Sequence, residues 1–169
     1  MKKYATLLLA LIIVLLLVSC GAEQITEQGS KTPFDGHLEI VSGQNTISPF
    51  STLTRSRIDN GDGTFAETVV DKASAIDLVS GKTPISVDVI PSIVLDTTPE
   101  YRLKGNGQIV RVGLISKNGD AYVESETTFE ALSHLSAGQY YVVMETLFTT
   151  NGASSSYQYE NIFCLEVKE

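Results

Sequence analysis

The sequence predicts an all-β chain, an antiparallel sandwich standing behind a separate N-terminal leader. Three observations predict it. From His37 onward, apolar residues alternate with polar ones through most of the chain, the pattern of strands with one face on a core. Gly, Asn and Asp turn signals fall between those runs, roughly every eight to twelve residues. Only one short segment has helical spacing.

The leader comes first. Lys2 and Lys3 follow the opening methionine, and Leu7 to Val18 run apolar without a charge. As helix, that run rises only ~18 Å, against a bilayer hydrocarbon core of ~30 Å. Glu23 and Glu27 beyond it do not form a basic stop-transfer flank. Residues 1–19 are therefore expected to be a secretory signal rather than a membrane-spanning helix. The run ends in Leu17-Val18-Ser19-Cys20, which resembles a bacterial lipobox. The resemblance implies a covalent diacylglyceryl group on Cys20 and cleavage between Ser19 and Cys20. Two acyl chains suit a stable anchor, at ~0.8 kcal/mol per buried CH2, where a single chain binds reversibly.

Residues 20–36, CGAEQITEQGSKTPFDG, are polar, carry Gly, Ser and Pro, and show little periodicity. They read as a flexible tether with a typical end-to-end distance of ~20–25 Å. Residues 37–169 then form one domain of ordinary size. The chain has 12 basic and 20 acidic residues, and losing Lys2 and Lys3 makes it more acidic still. Such a charge repels nucleic acid and anionic head groups. With Cys20 lipidated, Cys164 has no intramolecular partner, so the domain depends on its core rather than a disulfide. Cys164 lies in an apolar run beside acidic rather than basic residues, and reads as a small packed side chain.

The strands follow in order. HLEIV sets Leu38 and Ile40 against Glu39. Asn60-Gly61-Asp62-Gly63 should close a hairpin between TRSRI and TFAETVV. Lys72 to Ser80 is the one helical stretch, with Ala75, Ile76 and Val79 on one side and Gly81 as its stop. PISVDVI, between Pro84 and Pro91, reads as a strand with Ile85, Val87 and Val89 on one face. IVRVGLIS sets Val110, Val112 and Leu114 opposite Arg111 and Gly113, and Asn118-Gly119-Asp120 should turn it into AYVES. YYVVMETLF places Tyr140, Val142 and Met144 together, against Glu145. YENIFCLEV places Phe163, Leu165 and Val167 opposite Glu160, Cys164 and Glu166.

LSAGQYYVV sharpens the fold class. Tyr140 enters a strand just after Leu135 and Gly138, similar to the tyrosine corner of immunoglobulin-like folds. The Cys…Trp…Cys pattern of true immunoglobulin domains is absent, so the expectation is an immunoglobulin-like antiparallel β-sandwich in architecture.

The lipobox, the DNGDGT turn at Asp59 to Thr64, GQYYVV and the final strand ending LEVKE together resemble a group of small, largely uncharacterised bacterial lipoproteins. Related domains stand outside the membrane on sensor-type metallopeptidases. The resemblance spans residues 37–169. Such sequences tend to carry aromatics just before the turn, where this chain has Ser56, Arg57 and Ile58. It implies no catalytic residue.

The candidate chemistry is sparse. An EF-hand loop around DNGDGT fails in both registers, because Ile58 or Ser56 falls at the first ligand position. His37 and His134 are the two histidines, with no metal-site spacing and no G-x-S-x-G elbow nearby. Glu124 and Glu126 share a strand face near Tyr122, and read as a solvated face or, alternatively, a glycosidase pair or a basic-ligand patch. The last loop, NGASSSYQY, has the composition of a recognition loop, with Asn151, Tyr157 and Tyr159 as candidate binding residues. The expected protein is an extracytoplasmic lipoprotein held to the membrane by its lipid. It acts as a non-catalytic binding or structural module for a protein or envelope ligand, without metal or cofactor. A carbohydrate-binding module and an extracytoplasmic hydrolase are the alternatives.

Overall fold

A computed structural model describes residues 36–150 and 154–169. All of them belong to the unit Phe34–Glu169. The expected signal segment, Ser19, Cys20, all of the tether but Gly36, and Asn151 lie outside the described residues.

The described chain is all-β. Its strands are β1 (His37–Ser42), β2 (Asn45–Ile47), β3 (Phe50–Asp59), β4 (Phe65–Val69), β5 (Ser92–Val94), β6 (Glu100–Lys104), β7 (Gly107–Asn118), β8 (Ala121–Glu126), β9 (Gly138–Thr149) and β10 (Ser156–Val167). One helix, α1 (Ala75–Val79), follows β4, and 3-10 turns occupy Val87–Val89 and Glu130–His134. None of these helices is long and apolar enough to cross a membrane.

The strands form two sheets. The smaller has the order β2-β1-β6, and the larger β4-β3-β10-β9-β7-β8. One edge of β10 is shared: β3 pairs antiparallel with Ser156 to Ile162, and β5 adds in parallel along Cys164 to Glu166. Leu38 and Ile40 of the small sheet meet Val112, Val142, Met144, Phe163 and Leu165 of the large one in one core, with Phe129 and Leu132 filling its side. Because strand side chains alternate, Ile115, Val143, Ile162 and Cys164 face the other way, where Ala75, Leu78 and Val79 of α1 cover them. The centre of the large sheet is thus buried on both faces. The unbroken apolar runs Val142-Val143-Met144 and Ile162-Phe163-Cys164-Leu165 are the sequence counterpart of that burial.

Both predicted hairpin turns form. Gly119 at φ 62 joins β7 to β8, with Asn118 paired to Ala121. Gly61 and Gly63 take φ 80 and 85 between Asp59 and Phe65, which are themselves paired. Asp59 and Asp62 carboxylates accept the Gly61 and Thr64 amides, so the aspartates of DNGDGT are engaged within the turn. The helix also forms, shorter than expected. Ser74 caps it, Gly81 ends it at φ 70, and Leu78 is buried beside Ala75 and Val79, with Ile76 partly buried against the same cluster.

Two expectations need correction. Ile85 to Val89 is not a strand. The Ser86 hydroxyl accepts the Asp88 amide and nucleates a 3-10 turn, leaving Ile85 and Val89 exposed. In β7, Val110 does not face the core with Val112. A register shift between Ile109 and Arg111 makes it a bulge residue, 47% exposed.

Cys164 is 3% exposed, opposite Tyr141 on β9. Burial raises the thiol's pKa above its ordinary value, with Glu166 adding to the shift and Ser92 opposing it. Burial also raises the Tyr141 phenol. Both groups hold their protons more firmly folded than unfolded. Their contribution is complete at neutral pH and is lost as the pH rises past the ordinary values, 9.0 for the thiol and 10.0 for the phenol. The folded full-length chain treated with iodoacetamide at pH 8 should therefore show unmodified Cys164 on peptide mapping, with alkylation appearing only under denaturant. Alkylation of the native chain would contradict this packing.

Candidate functional site

The functional candidate is the half of the large sheet's outer face that α1 leaves uncovered. It is built by the segment leaving β4. The Val70 amide donates to the Thr54 carbonyl at 2.9 Å, pinning that segment to β3. The chain then crosses toward β10, where the Lys72 ammonium pairs with the Glu160 carboxylate. It next enters α1, and after Gly81 returns past Thr83, Pro84 and Ile85. Between this strap and the sheet lies a cleft of about 390 Å3. Phe50, Val70, Leu78, Pro84, Ile85 and Ile162 give it a mostly apolar wall. Its polar side carries the Lys72–Glu160 pair, with the two side chains 24% and 12% exposed, together with Asp71, Thr52 and Thr83.

A shallow polar trough adjoins the cleft and shares Val70 and Glu160 with it. Two of its lining residues, Glu145 and Gln158, end a cross-strand row that starts outside it. Arg111 on β7 pairs with Glu124 on β8 and, at 3.1 Å, with Glu145 on β9. The Gln158 amide on β10 donates to the other Glu145 oxygen at 3.3 Å. The bulge at Val110 brings Arg111 opposite Glu145, and Gly113 makes room, since a Cβ there would lie 2.7 Å from the Glu124 carboxylate. The guanidinium pKa is raised, first by its hydrogen bond to Glu124 and then by the charges of both carboxylates, against a partial loss of hydration. Glu145 and Glu160 are directly opposite on β9 and β10. Like charges so placed repel, and each is neutralised by a cation from another element: Arg111 for Glu145, Lys72 for Glu160.

The residues singled out in the sequence do not gather here. Tyr157 lies within β10, paired with Phe148, and is 1% exposed; it packs inside the domain and presents no surface for recognition. Tyr159 is half-buried, edge-to-face with the Phe148 ring at 6.0 Å. That ring lies over Gly107, where any Cβ would run into it. Glu124 is engaged by Arg111, while Glu126 is exposed beside a separate groove. His37 sits 3.4 Å from Glu39, and His134 is exposed at the end of the 3-10 turn whose Leu132 is buried. Among the described residues, neither histidine is hydrogen-bonded to a serine, and no group of three His, Cys, Asp or Glu side chains is placed to hold a metal. Lys72, Arg111, Glu145 and Glu160 were not selected from the sequence. Counting outward from the β9–β10 connection does set Glu145 opposite Glu160, because Thr149 pairs with Ser156. Nothing local marks Lys72, whose role depends on the path of the strap.

Fold and site together define a two-sheet, all-β domain with a small-molecule-sized cleft under a helical strap. Comparison with protein-family models, curated proteins and solved structures finds no match in any of the three.

Proposed function

We propose that this chain is an extracytoplasmic lipoprotein, anchored by a diacylglyceryl group on Cys20, whose immunoglobulin-like domain is a non-catalytic binding module. The observation that carries the binding half is the cleft of about 390 Å3, which falls in the ~300–1,000 Å3 range of small-ligand sites and joins an apolar wall to the Lys72–Glu160 pair and Asp71. The anchoring half rests on Lys2, Lys3, the apolar run and Leu17-Val18-Ser19-Cys20. Two features support the immunoglobulin-like assignment. The penultimate strand β9 lies between β10 and β7, the order of strands G, F and C. The Tyr140 hydroxyl donates to the Ser136 carbonyl at 3.1 Å, as a tyrosine corner does.

Mass spectrometry of the chain isolated from membranes should find an N-terminal, lipid-modified Cys20. A Cys20→Ala chain should leave the membrane fraction almost completely. Retention of that variant, or a wild-type chain with an intact leader and free thiol, would refute the anchor.

A second reading, carbohydrate binding, is favoured by a different surface. Tyr101 is 46% exposed, and its ring meets Phe129 edge-to-face at 5.2 Å, beside an open groove of about 300 Å3 that holds Glu126, Thr127 and Thr128. A braced, exposed ring with hydroxyls and a carboxylate suits a sugar face. A glycan array that gives the same result with wild type and Tyr101→Ala would remove this reading.

A further inference from the structure

We propose that the cleft beside α1 takes a small organic cation, an ammonium group on an apolar body, with Glu160 as its counter-charge and Lys72 as a tethered occupant that the ligand displaces. This rests on the reading of the cleft as the binding site, and adds the sign and the shape of the ligand.

The apolar body follows from the wall. Phe50, Val70, Leu78, Pro84, Ile85 and Ile162 offer few hydrogen bonds, so affinity there comes from removing apolar surface from water. Val70 and Ile85 are 36% and 45% exposed, large hydrophobic side chains left facing solvent at this cleft.

The positive charge follows from what surrounds the polar end. Glu160 is the less exposed member of its pair and sits on β10, held between β3 and β9. Lys72 comes from the strap between β4 and α1, which belongs to no strand beyond its Val70 bond to β3. The carboxylate is thus built into the sheet, and the ammonium is brought to it on a long flexible side chain. Glu145 lies directly across from Glu160, and Asp71 also lines the cleft. A ligand anion would face Asp71 and Glu160 and would have to draw Lys72 from Glu160, leaving that partly buried carboxylate without its counter-charge, while Glu145 across from it is already paired with Arg111. A ligand cation reproduces the contact Lys72 already makes, while Lys72 swings to solvent at little cost. The site therefore selects for positive charge, and Lys72 weakens binding by competing for the same carboxylate.

Three probes with one apolar body test this: benzylammonium, benzyl alcohol and benzoate. The readout is methyl NMR of the full-length chain in detergent micelles at pH 7, followed at Val70, Leu78, Ile85 and Ile162, so that partitioning of a probe into the micelle does not register as binding. Benzylammonium should shift these methyls saturably, and the other two should not. Glu160→Gln should weaken benzylammonium about tenfold, the effect of losing one charged hydrogen bond. Lys72→Met should tighten it several-fold. Should Glu160→Gln lose its native spectrum, Lys72→Met and the rim variant Ile85→Asn carry the test, the latter with binding weakened several-fold. Equal shifts with all three probes, a preference for benzoate, or weaker benzylammonium binding in Lys72→Met would overturn the cation assignment and leave the cleft as a binding site of another kind. No saturable shift with any probe would overturn both.

Discussion

Phe163→Ala should remove about 3–5 kcal/mol of stability, the cost of deleting a buried phenyl ring and leaving a cavity. Phe163 is 1% exposed and sits in the core between the sheets, among residues that include Leu38 and Ile40 from one sheet and Val142 and Met144 from the other. Its neighbours cannot easily close the gap. β10 is held by β9 along its whole length and by β3 and β5 on the opposite edge, so its backbone has little freedom to move inward. Native domains have about 5–15 kcal/mol in total, so this one substitution takes a large share. Chemical denaturation followed by circular dichroism should show a lower midpoint at an unchanged slope. A loss under about 1 kcal/mol would mean that the ring is not packed between the sheets as described.

Asn161→Asp, a change of one atom in shape, should cost about as much, roughly 3–5 kcal/mol at neutral pH. Asn161 is 2% exposed and uses its whole amide. Its NH2 group donates to the Met144 carbonyl at 2.9 Å and to the Thr146 hydroxyl at 3.0 Å, and its oxygen accepts from Ser51 at 2.7 Å. The three contacts tie β10 to β9 and β3 at the level where β10 changes partners. An aspartate would set a carboxylate oxygen against the Met144 carbonyl, with no cation in that group to answer the charge. Burial would raise the new acid's pKa in the folded state, so the variant would be least impaired at low pH and would lose stability as the pH climbed through the ordinary carboxylate range. Denaturation midpoints measured between pH 4 and pH 8 should fall for the variant relative to wild type. A difference that does not change with pH would show that the buried amide network is not the cause.

These two effects rest on parts of the fold that the sequence reveals unequally. Phe163 and Leu165 were legible as core residues from their alternation with Cys164 and Glu166. Cys164 also read as a packed side chain, but that it and Ile162 lie on a second covered face was not legible, because alternation reports one covered face and α1 covers the second. Asn161 reads as an ordinary polar strand residue until Thr146 and Ser51 are seen on either side of it. At the candidate site the same division holds. Glu160 and Lys72 are visible as charges, but their pairing requires the strap to cross β10. Tyr157 misleads for the opposite reason: its serine-rich neighbourhood looks like a loop, yet its register with Phe148 turns it inward.

By itself, the sequence determined what depends on near neighbours: the two glycine hairpins, a short helix with its Gly81 stop, the turn of Tyr140 back toward the backbone before it, and the strand character of β1, β9 and β10. These are settled within a few residues by backbone sterics and local hydrogen bonds. Tertiary structure alone decided which strands pair, where β7 bulges, which face α1 closes, and that Lys72 and Arg111 answer the facing carboxylates of Glu160 and Glu145. Those outcomes depend on free energies shared between residues far apart in the chain, and periodicity carries no record of them.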